Sequence, residues 1–250
     1  MHTYPSLCRL GKKIQQITQT MNPENTAFVH GIKFNPKGVI ASRISQYSTI
    51  IDVLGIDTVE QRAQKVAKFL EYNPGIKNLV GHSAGAYVIL TLIKSGLYMA
   101  MNNIVLLNPA PLPGVKFSIF DPMVKVVLMQ GLRKMIGVRE SSASMRSDAK
   151  KLLYPLNDEQ LDAIDDGDIP DSEIFLKRLA LNQFARPWGL IHPPEGSNMT
   201  VVNAADDQLL GGTWKKTEGF FTPKVRRINI TGGHMGALIR FEETILRALT

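Results

Sequence analysis

The residues in this chain best equipped for bond-breaking chemistry are Ser83, His234 and the neighbouring pair Asp206 and Asp207. Ser83 stands in Gly81-His82-Ser83-Ala84-Gly85, a G-x-S-x-G pattern, between an apolar run that reads as a strand and one that reads as a helix. At such a turn the serine is held in a strained conformation, and the residues two positions away must lack side chains so that strand and helix pack closely. The hydroxyl is then raised clear of the sheet edge. A serine hydroxyl is a weak nucleophile at neutral pH, so it needs a base within hydrogen-bond reach and a carboxylate to orient that base. The chain has five histidines. His2 lies in the N-terminal tail, His30 ends a strand, His82 points away from its neighbour Ser83, and His192 sits among prolines. His234, in the glycine-rich Thr231-Gly232-Gly233-His234-Met235-Gly236 after the last β-branched run, falls at the same sheet edge as Ser83. For the acid, the loop after the preceding run offers Asp206 and Asp207.

The elements that must carry these residues follow from apolar periodicity. Short β-branched runs at Thr26–His30, Ser48–Val53, Lys77–Val80, Asn103–Leu107, Met199–Asn203 and Val225–Ile230 read as buried strands of a mostly parallel sheet. Between the second and third, Thr58–Tyr72 has Val59, Ala63, Val66, Ala67, Phe69 and Leu70 on a helical stripe, with Asp57 and Glu60 placed as its N-terminal cap. Ala84–Ser95 is apolar nearly all round and stops at Gly96, as a buried helix should. Gly236–Leu249 puts Leu238, Ile239, Phe241, Ile245 and Leu246 on one face. Strand followed by crossover, repeated, is the signature of an α/β sheet. The alternation fails over residues 111–194, where helical patterns at Pro122–Gly137, Ser144–Tyr154, Asn157–Ile164 and Ser172–Ala185 follow one another without a strand. We therefore expect a core of residues 25–110 and 195–250, an inserted helical lid over 111–194, and an N-terminal helix or tail over 1–24.

Composition narrows the classes. Hydrophobic residues make up 44% and charged residues 20% of 250 residues, enough apolar material for a substantial core. The formal net charge of +7 is spread without a Lys/Arg stripe or an alternation of basic and aromatic residues, which argues against a nucleic-acid module. No apolar run reaches the ~18 residues of a membrane span, and no secretory core opens the chain, so we expect a soluble, cytoplasmic protein with no integral membrane association. With Cys8 as the only cysteine, neither an intramolecular disulfide nor a cysteine metal cluster is possible. Asp162, Asp165, Asp166 and Asp168 lack the spacing of a calcium loop. Oligomeric state is left open.

Taken together, the G-x-S-x-G turn, the two downstream loops and the strand–helix alternation resemble the α/β-hydrolase fold superfamily, in particular its lid-bearing serine hydrolases. The resemblance runs from Thr26 to the C-terminus. It implies the chain order serine, acid, histidine, here Ser83, Asp207, His234. The loop Ala204-Ala205-Asp206-Asp207-Gln208-Leu209-Leu210 is similar to that family's acid loop, and the alignment leaves Asp206 as a solvent-facing neighbour. Asp121, beside Pro122, is a further position where relatives place an acid, and it also reads as a helix cap. Val29-His30-Gly31-Ile32 is similar to the family's oxyanion loop, which implies backbone N–H donors at Ile32 and Ala84 and a bracing role for His30. Two departures accompany the match: Leu7–Met21 reads as a helix where the family has its first strands, and the link from Gly31 to Ser48 is short. The implied sheet has about six strands. The implied activity is cofactor-free and metal-free hydrolysis of a small-molecule carboxylic ester with an apolar acyl group, which methionine-rich Pro122–Gly137 could help to line. Thioesters, lactones and C–C bonds beside a ketone are open to the same machinery, and a non-catalytic ligand-binding protein could keep the same fold.

Overall fold

The computed structural model describes residues 21–32, 34–97, 101–110, 112–113, 115, 173–181, 186–207, 210 and 217–250. Within them six strands form one sheet: β1 (Thr26–Val29), β2 (Thr49–Ile51), β3 (Asn78–His82), β4 (Asn103–Leu107), β5 (Asn198–Ala204) and β6 (Arg226–Ile230), in the order β2-β1-β3-β4-β5-β6. Every pairing is parallel. Both faces are covered, and alternate strand residues serve opposite faces, as the pleat requires. Ala27, Val29, Leu79, Ile104, Leu106 and Val201 face one core with α2 (Val59–Tyr72) and α3 (Ala84–Lys94). Phe28, Val80, Val105, Leu107 and Val202 face the other, packed by α1 (Val39–Ile44), α5 (Gly236–Ile239) and α6 (Phe241–Leu249). Burial on both faces explains why the four inner strands, β1, β3, β4 and β5, read as apolar runs and not as alternating ones.

Three local details differ from the sequence reading. The link between β1 and β2 contains α1, whose only buried residues are Ala41 and Ile44, too sparse a pattern to announce a helix. The cap of α2 is Thr58, not Asp57: its backbone is extended and its Oγ1 accepts from Gln61 N–H at 3.0 Å. The C-terminal helix is broken at Arg240, whose guanidinium turns back to the Thr231 carbonyl, so α5 and α6 are separate.

Along the N-terminal edge of the sheet lies a row of side-chain hydrogen bonds between residues in direct register. Asn198 Nδ2 donates to Asn103 Oδ1 (3.3 Å), Asn103 Nδ2 to Asn78 Oδ1 (2.8 Å), and Asn78 Nδ2 to Thr26 Oγ1 (3.2 Å). Thr26 in turn donates to Asn25 Oδ1 at 2.7 Å. Four adjacent strands are thereby joined at their starts.

Of the expected lid, the described parts are residues 112–113 and 115, with Leu112 and Val115 buried in the core, α4 (Glu173–Leu181) and the segment 186–194. Phe175 of α4 is fully buried under the Arg62 guanidinium, 3.3 Å from the ring centroid, while Arg62 Nε and Nη2 donate to Ile56 O. Trp188 stacks on Tyr87 of α3, and Ile191 forms a single parallel bridge with Phe221. The proposed helices Pro122–Gly137, Ser144–Tyr154 and Asn157–Ile164, the Leu7–Met21 helix (but for Met21) and Asp121 lie outside the described residues. Among the described residues no helix is long and apolar enough to cross a membrane.

Candidate active site

Ser83 lies between β3 and α3 with φ 52° and ψ −118°, far from the wells that a residue with a side chain prefers. Its main chain is pinned on both sides: its N–H donates to Leu107 O (2.9 Å), and its carbonyl accepts from Ala110 N–H (3.0 Å) and Tyr87 N–H (3.3 Å). Crowding explains the flanking glycines. A Cβ on Gly85 would stand 2.1 Å from Val29 O and 2.5 Å from His30 O, and one on Gly81 would stand 2.8 Å from Ala86 N and Cα. The β1–α1 loop passes close by, since a Cβ on Gly31 would lie 3.1 Å from Ser83 Cβ. Among the described residues, none accepts from the N–H of Ile32 in that loop or of Ala84, the first residue of α3. Both lie beside Ser83, one in the adjacent loop and the other next in sequence.

After β6, Gly232 (φ 115°) and Gly233 (φ 64°) reverse the chain and present His234, which is buried. An ionised carboxylate only accepts, so His234 Nδ1–H donates to Asp207 Oδ2, at 2.8 Å. Asp207 is also buried, and its other oxygen accepts from Leu210 N–H at 2.9 Å. With Nδ1 engaged, Nε2 is the ring nitrogen left to exchange a proton. The structure corrects the expectation for Asp206. It is half-buried, and its carboxylate accepts from the N–H groups of Gly232 and Gly233 at 3.0 Å, because the tight turn leaves those two donors pointing back at the β5 exit. Asp207 therefore holds the imidazole and Asp206 holds the loop that carries it.

Two further buried residues reach the same loop, and their parts were not legible in sequence. Asn108, fully buried at φ 40°, donates through Nδ2 to His234 O (2.7 Å) and accepts through Oδ1 from Ala204 N–H (2.7 Å). His82, on β3, donates through Nε2 to the same His234 carbonyl at 3.1 Å. A weak signal existed: an asparagine is the non-glycine residue that best tolerates positive φ at a strand exit.

His30 closes the opposite flank. Its Nδ1–H donates to Gly31 O (2.7 Å) and its Nε2 accepts from Val53 N–H (3.1 Å), tying the β1 exit to the β2 exit. Burial is the main cause of its lowered pKa. The imidazole is therefore neutral, and the 3.3 Å approach of Asp52 Oδ1 to Nε2 is a contact of two acceptors and not an ion pair.

Burial above all, and next the adjacent His234, pushes the pKa of His82 from 6.5 to about 3. Unfolded, His82 takes up a proton near its ordinary pKa; folded, it does not. Its contribution to stability is complete above about pH 6.5 and is lost as pH falls toward 3, a loss on the order of 5 kcal/mol. His82→Gln, which keeps an N–H donor but cannot titrate, is expected to unfold in urea with a visibly flatter pH dependence than the wild type between pH 7 and 4. Equal slopes would assign the acid sensitivity to other groups.

Among the described residues no three His, Cys, Asp or Glu side chains are grouped as metal ligands. No protein-family model and no curated protein matches the chain in sequence. Solved structures do match in shape. An α/β hydrolase fold protein from Burkholderia ambifaria superposes with a TM-score of 0.61 at 17% identity, covering 91% of this chain and 90% of that one. A thermophilic esterase from Thermogutta terrifontis gives 0.60 at 15% identity over 90% and 89%. A lipase-esterase related protein from Clostridium acetobutylicum gives 0.59 at 15% identity over 91% and 93%. At such identities the likeness speaks for architecture alone, and with the all-parallel six-stranded sheet it establishes that this chain has the α/β-hydrolase fold.

Proposed function

We propose that the protein is a serine hydrolase that cleaves carboxylic esters of small or medium apolar acyl groups. The observation that carries this reading is the pairing of a strained Ser83 at the strand–helix turn with the buried Asp207–His234 hydrogen bond at the same sheet edge. In the proposed reaction Ser83 Oγ attacks the ester carbonyl as His234 Nε2 takes its proton. Asp207 stabilises the resulting imidazolium, and the N–H groups of Ile32 and Ala84 face the oxyanion, each worth about 3 kcal/mol in the transition state. The imidazolium then protonates the departing alkoxide, leaving an acyl-serine. Water, activated by the same imidazole, releases the acid and restores Ser83. The esterase neighbours agree with this reaction class.

Hydrolysis of p-nitrophenyl esters of rising chain length tests the reading, together with labelling by a fluorophosphonate. Turnover and a single adduct on Ser83 are expected; folded protein with neither would leave a ligand-binding protein of the same fold. Asp207→Asn is expected to lower kcat by roughly four orders of magnitude, because the histidine loses the partner that fixes its tautomer. Asp206→Asn should lower it by only about tenfold, since it weakens the loop's anchor and not the imidazole's. Steady-state kinetics of the two variants would expose a misassigned acid by reversing that order.

A further inference from the structure

The backbone carbonyl of His234 accepts from two buried side chains that come from different strands. Asn108 Nδ2 reaches it at 2.7 Å from the exit of β4, and His82 Nε2 at 3.1 Å from the end of β3. Asn108 is 0% and His82 4% exposed, so no solvent competes for that oxygen. A carbonyl has two lone pairs, and here both are filled by protein. The other connections of these residues matter as much. Asn108 Oδ1 accepts from Ala204 N–H, three residues before Asp207, and Asn108 N–H donates to Val202 O. Leu107, its neighbour, accepts from Ser83 N–H. His82 is covalently next to Ser83, and its ring lies 4.9 Å from the His234 ring, centroid to centroid.

We propose that Asn108 and His82 are paired positioning residues that set the height and orientation of the His234 imidazole over Ser83 by holding one shared carbonyl. The proposal rests on the triad reading above. The Asn108 amide joins the strand exits that bear acid and histidine, and the Leu107 carbonyl just before it holds the Ser83 N–H, so two consecutive residues tie the three exits together. A backbone with φ 40° aims its side chain across the sheet edge and not along the strand, which is why the bridge reaches the histidine loop. The paired arrangement has a definite consequence. Either donor alone keeps the carbonyl in place, so single losses are mild, and loss of both releases the loop.

The test uses single and double variants with two independent readings. Asn108→Ala and His82→Leu are each expected to lower kcat by about tenfold with KM within about twofold, as befits a loss felt in the transition state and not in binding. His82→Gln, which retains an N–H, should recover most of that loss. The double variant should lose more than the product of the singles, showing that the two donors substitute for one another. The second reading needs no turnover: the low-field proton resonance of His234 Nδ1–H, bound to Asp207, should be sharp in the wild type, broadened in each single variant and absent in the double. Wild-type protein that shows the resonance but hydrolyses no ester would overturn the proposed function and leave the positioning claim to the resonance. Folded Asn108→Ala with unchanged kcat and an unchanged resonance overturns the claim. If Asn108→Ala does not fold, equal behaviour of His82→Leu and His82→Gln does so instead.

Discussion

Ser83→Ala is expected to lower kcat for a p-nitrophenyl ester by roughly five to six orders of magnitude while leaving the fold intact. The substitution removes Oγ alone. The backbone of residue 83 keeps its φ of 52°, since the hydrogen bonds from its N–H to Leu107 and from Ala110 and Tyr87 to its carbonyl do not involve the side chain. Thermal unfolding should consequently change little. What remains after the substitution is the set of N–H donors near the reacting carbon, which by themselves sustain a rate about a thousandfold or more above the uncatalysed one. His234→Ala in addition should make matters no worse, because the base has nothing left to activate. Active-site-titrated kinetics and the fluorophosphonate adduct give the answer. A loss of less than about a hundredfold, or an adduct that persists elsewhere, would move the nucleophile away from Ser83.

Gly85→Ala is expected to abolish folding altogether. Its new Cβ would fall 2.1 Å from Val29 O and 2.6 Å from Val29 C, which are backbone atoms of β1. That strand is hydrogen-bonded to β2 on one side and β3 on the other, so it cannot retreat without unpairing the middle of the sheet. The helix cannot retreat either, because α3 is buried along nearly its whole length. The penalty is on the order of the entire stability of a domain, about 5–15 kcal/mol. Gly55→Ala is the matched control. Gly55, unlike helical Gly85, has a positive φ, 72°, but nothing lies within 4 Å of its added Cβ, so a loss of about 1 kcal/mol is expected. Soluble yield and thermal unfolding of the two variants separate steric exclusion from conformational preference. Well-folded Gly85→Ala would mean that β1 and α3 are further apart than described.

The inner strands were legible because each is buried on both faces and leaves an apolar run, as Asn103–Leu107 does, whereas the edge strand β6 is exposed at Arg226, Arg227 and Asn229. The turns that carry Ser83 and His234 were legible for a different reason, since glycines at fixed offsets report tight turns whatever the tertiary context. Asp207 emerged ahead of Asp206 only through the resemblance of its loop to a family pattern. Asp206 was misread because its partners, Gly232 and Gly233, lie on another loop, and no local rule brings them together. Asn108 and His82 illustrate the same limit: each is a small part of a short motif until the fold sets the His234 carbonyl beside it. α1 escaped notice because two buried residues do not make a periodic stripe.

The asparagine row at the sheet's N-terminal edge has a consequence for how errors in assembly are resolved. Asn78, Asn103 and Asn198 form one chain of donors and acceptors only when two strand pairings, β3 with β4 and β4 with β5, are in register together. A slip of one residue by β4 would turn its buried side chains to the wrong faces, break two of those amide contacts, and carry Asn108 away from both Ala204 and His234. Mispairing therefore removes the whole centre at once. Register at the strand starts and placement of Asn108 at the strand exits are thus one condition, so a single mispairing disturbs both ends of the sheet.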